Sequence, residues 1–162
     1  MSMGNVAMSR RAAEERYRQR RHRAFAEAEL RLLDARVAQP DELVLSDIPL
    51  LGLIVTTSTW ASDPRRRVGW DWRQLHLQYQ RNYPDRFELA VVSGNQLCAF
   101  ALGRPSESRG HCCLDYIEGS PDPAHPLKGR VLPVVFTALE RLSAAIGATE
   151  MRIMEPLPEL IP

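Results

Sequence analysis

Apolar positions follow two periods along the chain, and the switches between them outline the elements. From Ser9 to Ala38 the residues are rich in Ala, Arg, Glu and Leu without Gly or Pro, so helix propensity is high throughout. Phe25, Ala28, Leu32 and Ala35 recur at helical spacing, and Leu30, Leu33 and Val37 broaden that stripe. Arg10 to Arg23 offers almost nothing to bury. Gln39-Pro40-Asp41 breaks the helix, and Glu42 to Ser46 reads as a short first strand. Ser46 or Asp47 can cap a helix with Pro49 near its start, running through Leu50, Leu53 and Ile54 towards Trp60. The β-branched run Val55-Thr-Thr-Ser-Thr59 weakens its second half. Asp71 caps a further helix that carries Trp72, Leu75, Tyr79 and Tyr83 on one face, and Pro84 ends it.

The period then changes to two. Phe87–Ser93 and Gln96–Leu102 are β-rich runs separated by Gly94-Asn95, the signature of an antiparallel hairpin. In the second run Leu97, Ala99 and Ala101 alternate with Cys98, Phe100 and Leu102, so apolar side chains point both ways and the strand belongs to a sheet interior. His111–Glu118 is a third strand. A Pro-rich loop, Gly119–Pro126, leads to a helix in which Val131, Val134, Val135, Ala138, Leu139, Leu142 and Ile146 recur at three- and four-residue spacing. Pro133 lies in its first turns, and Gly147 stops it. Glu150–Glu155 is a last strand, and a helix between two strands lays them parallel.

Composition changes this picture little. Residues 1–38 are a helical extension and residues 41–162 a domain large enough for its own core. The 44% hydrophobic and 25% charged content is ordinary, and a net charge of +1 gives no global argument for nucleic acid or membrane. Charge is local instead. Nine arginines and five acidic residues crowd Ser9–Ala38, which reads either as a solvated helix docked by its last turns or as an arm for nucleic acid or an acidic partner. Arg65-Arg66-Arg67 is a solvated loop or a contact for a phosphate or an acidic substrate. Cys98, Cys112 and Cys113 all fall in strands, and an odd count with two adjacent argues against a disulfide framework, implying a reducing cytoplasm. No segment has the length of a membrane span, and the first nine residues lack a signal-peptide apolar core. The four histidines are scattered without metal-ligand spacing.

The order hairpin, strand, Pro/Gly loop, helix, parallel strand resembles the GNAT acyltransferase superfamily over roughly residues 43 to 162. The family's loop motif, Gln/Arg-x-x-Gly-x-Gly/Ala, is nearest to Pro126-Leu-Lys-Gly-Arg-Val131, in which Gly129 fits while Pro126 and Val131 depart from it. The resemblance implies an α/β fold, a mixed and mostly antiparallel sheet with helices on both faces. It implies transfer of an acetyl group from acetyl-CoA to a primary amine of a small molecule or protein. The implied cofactor residues are the backbone at Tyr116, Ile117 and Glu118 with Lys128, Gly129, Arg130 and Val131 at the helix start, where free amides and the helix dipole suit phosphate. Trp70, Trp72, Tyr79 and Tyr83 are the candidates for lining the acceptor cleft.

A general base is sought in Asp115 and Glu118. In a regular strand these face opposite sides unless a bulge intervenes, and Glu118 is assigned. In the family, a tyrosine-bearing helix and a closing hairpin follow the last strand. Nothing in Glu155–Pro162 matches them, so the domain reads as incomplete, its last strand an edge for a second copy or a partner chain. The alternative function is a non-catalytic module that engages its partner through the arginine-rich helix.

Overall fold

The computed structural model describes residues 3–37 and 42–154. The breaker at 39–41 and the tail at 155–162, with the last residue of the final expected strand, lie outside them. Helix α1 spans Met3–Asp34, β1 Leu43–Ser46, α2 Leu50–Val55, α3 Trp72–Asn82, β2 Phe87–Ser93, β3 Gln96–Pro105, β4 His111–Gly119, α4 Val131–Ile146 and β5 Glu150–Ile153. The strands form one sheet in the order β1-β2-β3-β4-β5. The first three pairings are antiparallel and β4–β5 is parallel. The fold is α/β with a mixed, mostly antiparallel sheet.

Helices cover both faces. On one, Ala24, Phe25, Ala28 and Leu32 of α1 and Val134, Val135, Ala138, Leu139 and Leu142 of α4 pack over Leu43, Leu45, Phe87, Leu89 and Val91. On the other, Ile48, Leu53, Trp72 and Tyr79 pack over Ala90, Phe100 and Leu102. Phe25, Ala28 and Leu32 of the apolar stripe are therefore the docking face of α1, whereas Leu30 and Ala35, read with them, are exposed. The first half of the helix is exposed apart from a few half-buried positions. One residue departs from the expected boundary. Arg21, in the segment with little to bury, is 3% exposed and donates through Nε to Asp47 at 3.0 Å. Glu29 of α1 accepts the Leu45 amide at 2.9 Å, which ties the helix to β1.

Local chemistry agrees with the elements. Gly94 and Asn95 take φ of 57° and 60°, the conformation a two-residue hairpin turn requires. Asp71 accepts the Gln74 amide and caps α3, and Gly147 ends α4 in the left-handed region. Helix α2 starts after Pro49 with no side-chain cap, so neither Ser46 nor Asp47 plays that part. The β-branched run does not end the helix; it becomes a π-helical turn, Thr56–Trp60. Hydroxyls of Thr56, Thr57 and Ser58 donate back to the carbonyls of Leu53 and Ile54 there.

Two β-bulges revise the simple alternation. Val91 pairs with Ala99 and Val92 with Leu97, so Cys98 is an extra residue in β3. In consequence Cys98, Ala99 and Ala101 share the α1/α4 face while Leu97, Phe100 and Leu102 share the α3 face. In β4, Leu102 pairs with Tyr116 and Gly103 with Leu114, leaving Asp115 as the extra residue.

Candidate functional site

A cavity of about 560 Å³ opens where β4 runs into the loop before α4. Its walls are Ile117, Glu118, Gly119 and Ser120 from the end of β4, His125, Lys128, Gly129, Val131 and Leu132 from the loop and α4, and Arg65 to Val68 from the loop between α2 and α3. The 120–130 loop is a succession of tight turns. Asp122 accepts the Ala124 amide and the Gln96 amide side chain, and its carbonyl takes the His125 amide. Lys128 then donates to the His125 carbonyl and Arg130 to the Leu127 carbonyl. Gly129 sits at φ +77° with open space where a Cβ would lie, and it turns the chain into the helix. The amides of Gly129, Val131 and Leu132 find no acceptor among the described residues. They are the unpaired donors of a helix N-terminus facing a cavity.

The divergence of the parallel strands supplies a second feature. Pairing of β4 with β5 runs from His111↔Glu150 to Leu114↔Ile153, followed by a Met154 amide bond to the Leu114 carbonyl. Among the described residues, Tyr116–Gly119 of β4 pair on the β3 side only, and the bulged Asp115 pairs with neither neighbour. The open backbone edge leads from the Asp115 bulge to the cavity.

Glu118, the expected base, is committed elsewhere. Arg66 donates to it through Nε at 2.6 Å and Nη2 at 3.1 Å, and the Trp72 indole donates at 2.5 Å. A carboxylate held by a forked guanidinium and an indole is a fixed anchor rather than a free proton acceptor. It fastens Arg66 to the cavity wall, and Arg66 in turn donates to the Trp70 carbonyl at 2.8 Å. Asp115 lies on the same side of the sheet as Glu118, because the bulge cancels the alternation. It accepts from the Tyr79 hydroxyl at 2.5 Å, and Arg104 lies 3.4 Å from the same Oδ2. Its Oδ1 has no partner among the described residues. Burial first, then the bond to Asp115, pushes the Tyr79 phenol far above its ordinary pKa, so it stays neutral.

The aromatic candidates for the acceptor cleft are mostly core. Trp72 is 1% and Tyr79 6% exposed, and Trp72 packs edge-on to Phe100 with centroids 5.3 Å apart. Trp70 and Tyr83 are half-buried and stack on their neighbours Trp72 and Tyr79. None of the four lines the cavity. Of the expected cofactor residues, Ile117, Glu118, Lys128, Gly129 and Val131 do line it. The Tyr116 ring faces the α3 layer against Trp70, leaving only its backbone at the open edge. Arg130 turns away to donate to the Val37 carbonyl at 2.8 Å.

Sequence reading passed over His125. Burial, then the charge of Lys128, lowers its pKa below the ordinary imidazole value, and Nδ1 accepts the Leu127 amide. The ring is therefore neutral at pH 7 with its proton on Nε2. Its isolation in a Pro-rich loop gave no signal of this.

No grouping of His, Cys, Asp or Glu suited to a metal ion is present among the described residues, and no helix among them is long and apolar enough to cross a membrane. Comparison with known protein families, curated protein sequences and solved structures finds no match for this chain.

Proposed function

We propose that this chain is an acyl-CoA-dependent N-acyltransferase of GNAT-like design, using acetyl-CoA and a primary amine of a small molecule or protein. The observation that carries this reading is the cavity at the start of α4, with three unpaired amides and Lys128, joined to the open edge where β4 and β5 part. These residues suit a cofactor with a diphosphate and a long amide-bearing arm. The amides and Lys128 would hold the diphosphate, and the unpaired backbone at Tyr116–Gly119 would bond the arm as a missing strand does. The bound thioester supplies the acyl group.

The chain's own part is positioning and proton handling. Asp115, beside the point of divergence with Oδ1 free among the described residues, replaces Glu118 as the receiver of the amine proton. Neutral Tyr79 orients it. Glu118 keeps a positioning role through Arg66. The exposed edge strand β5 is where a second copy or partner strand would add. The free cysteines Cys98, Cys112 and Cys113 suit a reducing, cytoplasmic setting.

A second reading rests on α1, where Arg11, Arg16 and Arg23 are exposed without an ion-pair partner among the described residues. They suit a nucleic acid or acidic protein in a non-catalytic module. Calorimetric titration with acetyl-CoA separates the two. Micromolar binding that weakens at least about tenfold in Lys128→Glu supports the enzyme and opens a screen of amines by thiol release. No heat at millimolar ligand, with binding to nucleic acid that salt suppresses, supports the module.

A further inference from the structure

A second pair of charges lies where β4 and β5 part, on the α3 side of the sheet, and neither member lines the cavity. The β4 bulge puts Asp115 there, and Arg104 reaches it from β3. The two meet only loosely. Arg104 Nε stops 3.4 Å from Asp115 Oδ2, and the guanidinium makes no hydrogen bond among the described residues. Other arginines of the fold are spent differently, Arg66 forked on Glu118 and Arg86 on Glu88. Arg104 instead lies over the Tyr83 ring, 5.0 Å from its centroid. A guanidinium seated on an aromatic face keeps its edge nitrogens available to a carboxylate.

Asp115 is left open in the same way. The Tyr79 hydroxyl occupies Oδ2, and Oδ1 has no partner among the described residues. Neither free edge is sealed. Arg141 Nε is the only fully buried side-chain nitrogen or oxygen without a partner among the described residues, so Asp115 Oδ1 and the end nitrogens of Arg104 border open space. The pair is neutral as a whole, with one free carboxylate oxygen beside one free guanidinium edge. It complements a molecule that carries an ammonium and a carboxylate at equally close spacing, which is the charge pattern of an amino acid.

We propose that Arg104 determines acceptor specificity, so that the amine acetylated is that of a free α-amino acid, its carboxylate forked by Arg104 while its ammonium meets Asp115. This rests on the acyl-CoA reading and narrows its acceptor from any primary amine. The ammonium gives up one proton by way of Asp115, and its nitrogen attacks the thioester carbonyl. A C–N bond then replaces the C–S bond, and the second proton leaves with the coenzyme A thiol. Tyr83 and Tyr79 act as positioning residues, one beneath Arg104 and the other on Asp115.

The test is steady-state thiol release by the full chain with acetyl-CoA and the common α-amino acids, each beside its amide, which keeps the amine and loses the carboxylate. At least one amino acid is expected to be turned over with kcat/KM about tenfold above that of its amide. Arg104→Ala is expected to bring that ratio near one, and Arg104→Lys to restore part of it. An arginine with a merely structural role would lower both substrates alike and leave the ratio in place, and circular dichroism checks that the variants keep the fold. A ratio near one in the wild type, or one unchanged in Arg104→Ala, overturns the proposal and leaves the acyl-CoA reading standing. Calorimetric binding of acetyl-CoA with no amino acid turned over does the same. Absence of acetyl-CoA binding overturns the acyl-CoA reading, and the amino-acid acceptor with it.

Discussion

Two buried carboxylates dominate the molecule at the scale of single residues, and each is an anchor. Glu118 ties β4 to the 61–71 loop and to α3, and Arg66 is its principal partner. Removing one member of a buried pair leaves the other charge without compensation. Arg66→Ala is therefore expected to cost about 3 kcal/mol in a urea unfolding titration, whereas Arg67→Ala, at the surface, should stay within about 0.5 kcal/mol.

Glu88 is the second anchor. It receives His76 at 2.5 Å, Arg86 at 2.7 Å and the Ile48 amide at 3.1 Å, with Arg21 at 3.6 Å. Burial by itself would raise its pKa, but the His76 bond and the charges of Arg86, His76 and Arg21 together outweigh that and lower it from 4.5 to about 2. A depressed folded pKa contributes stability that is complete above 4.5 and is lost as pH falls towards 2. That loss amounts to about 3 kcal/mol. Stability measured by urea at a series of pH values should fall across this window. In Glu88→Gln it should start lower at neutral pH and fall less steeply.

Elements matter here through their irregularities. The bulge at Asp115 sets which face Asp115 and Glu118 share, and it depends on a glycine across the strand pair. A Cβ on Gly103 would lie 2.1 Å from the Cys113 carbonyl oxygen, and that oxygen is backbone that cannot swing aside. Gly103→Ala must push β3 and β4 apart. We expect a loss of about 3 kcal/mol, read as a fall in Tm of several degrees, with weaker amide protection in both strands. Gly129→Ala has space for its methyl and pays only for the left-handed backbone, so its cost should be about 1 kcal/mol. If Gly103→Ala proved as mild as Gly129→Ala, the bulge would not be held by close backbone contact.

Viewed whole, the molecule is a sheet between two helical layers, and the N-terminal helix completes one of them. Phe25 is 1% exposed and meets Phe87 edge-on with centroids 6.1 Å apart, while Arg21 reaches the Glu88 network on the same side of the helix as the docking stripe. Phe25→Ala is expected to cost about 3–4 kcal/mol by cavity formation. Deleting residues 1–37 would bare the face of α4 and the sheet that α1 covers, and the remainder should bind a hydrophobic dye and aggregate. Deleting only the exposed turns through Arg16 should leave the cooperative thermal transition in place. A chain that lost all of 1–37 and still unfolded cooperatively would show the helix to be an appended arm.

Periodicity, turn residues and caps lie within a few positions of one another, so the sequence alone determined what they control. The Gly94-Asn95 hairpin, the Asp71 cap, the Gly147 stop, the docking stripe of α1 and the parallel last strand were all legible, as was the α/β class. Lys128 and Gly129, just before α4, were singled out instead by the resemblance of Pro126–Val131 to a loop motif. Tertiary structure alone decided the rest, because it turns on which distant groups meet. Alternation cannot reveal a bulge, since the extra residue is defined by the partner strand, so the side taken by Asp115 stayed open. An aromatic helix face reads alike whether it meets a cleft or a sheet, and Trp72 and Tyr79 met the sheet. Charge in a sequence is unpaired by default. Only the fold could spend Arg66 on Glu118 and Arg21 on Asp47 and Glu88, while leaving Arg67 facing the cavity.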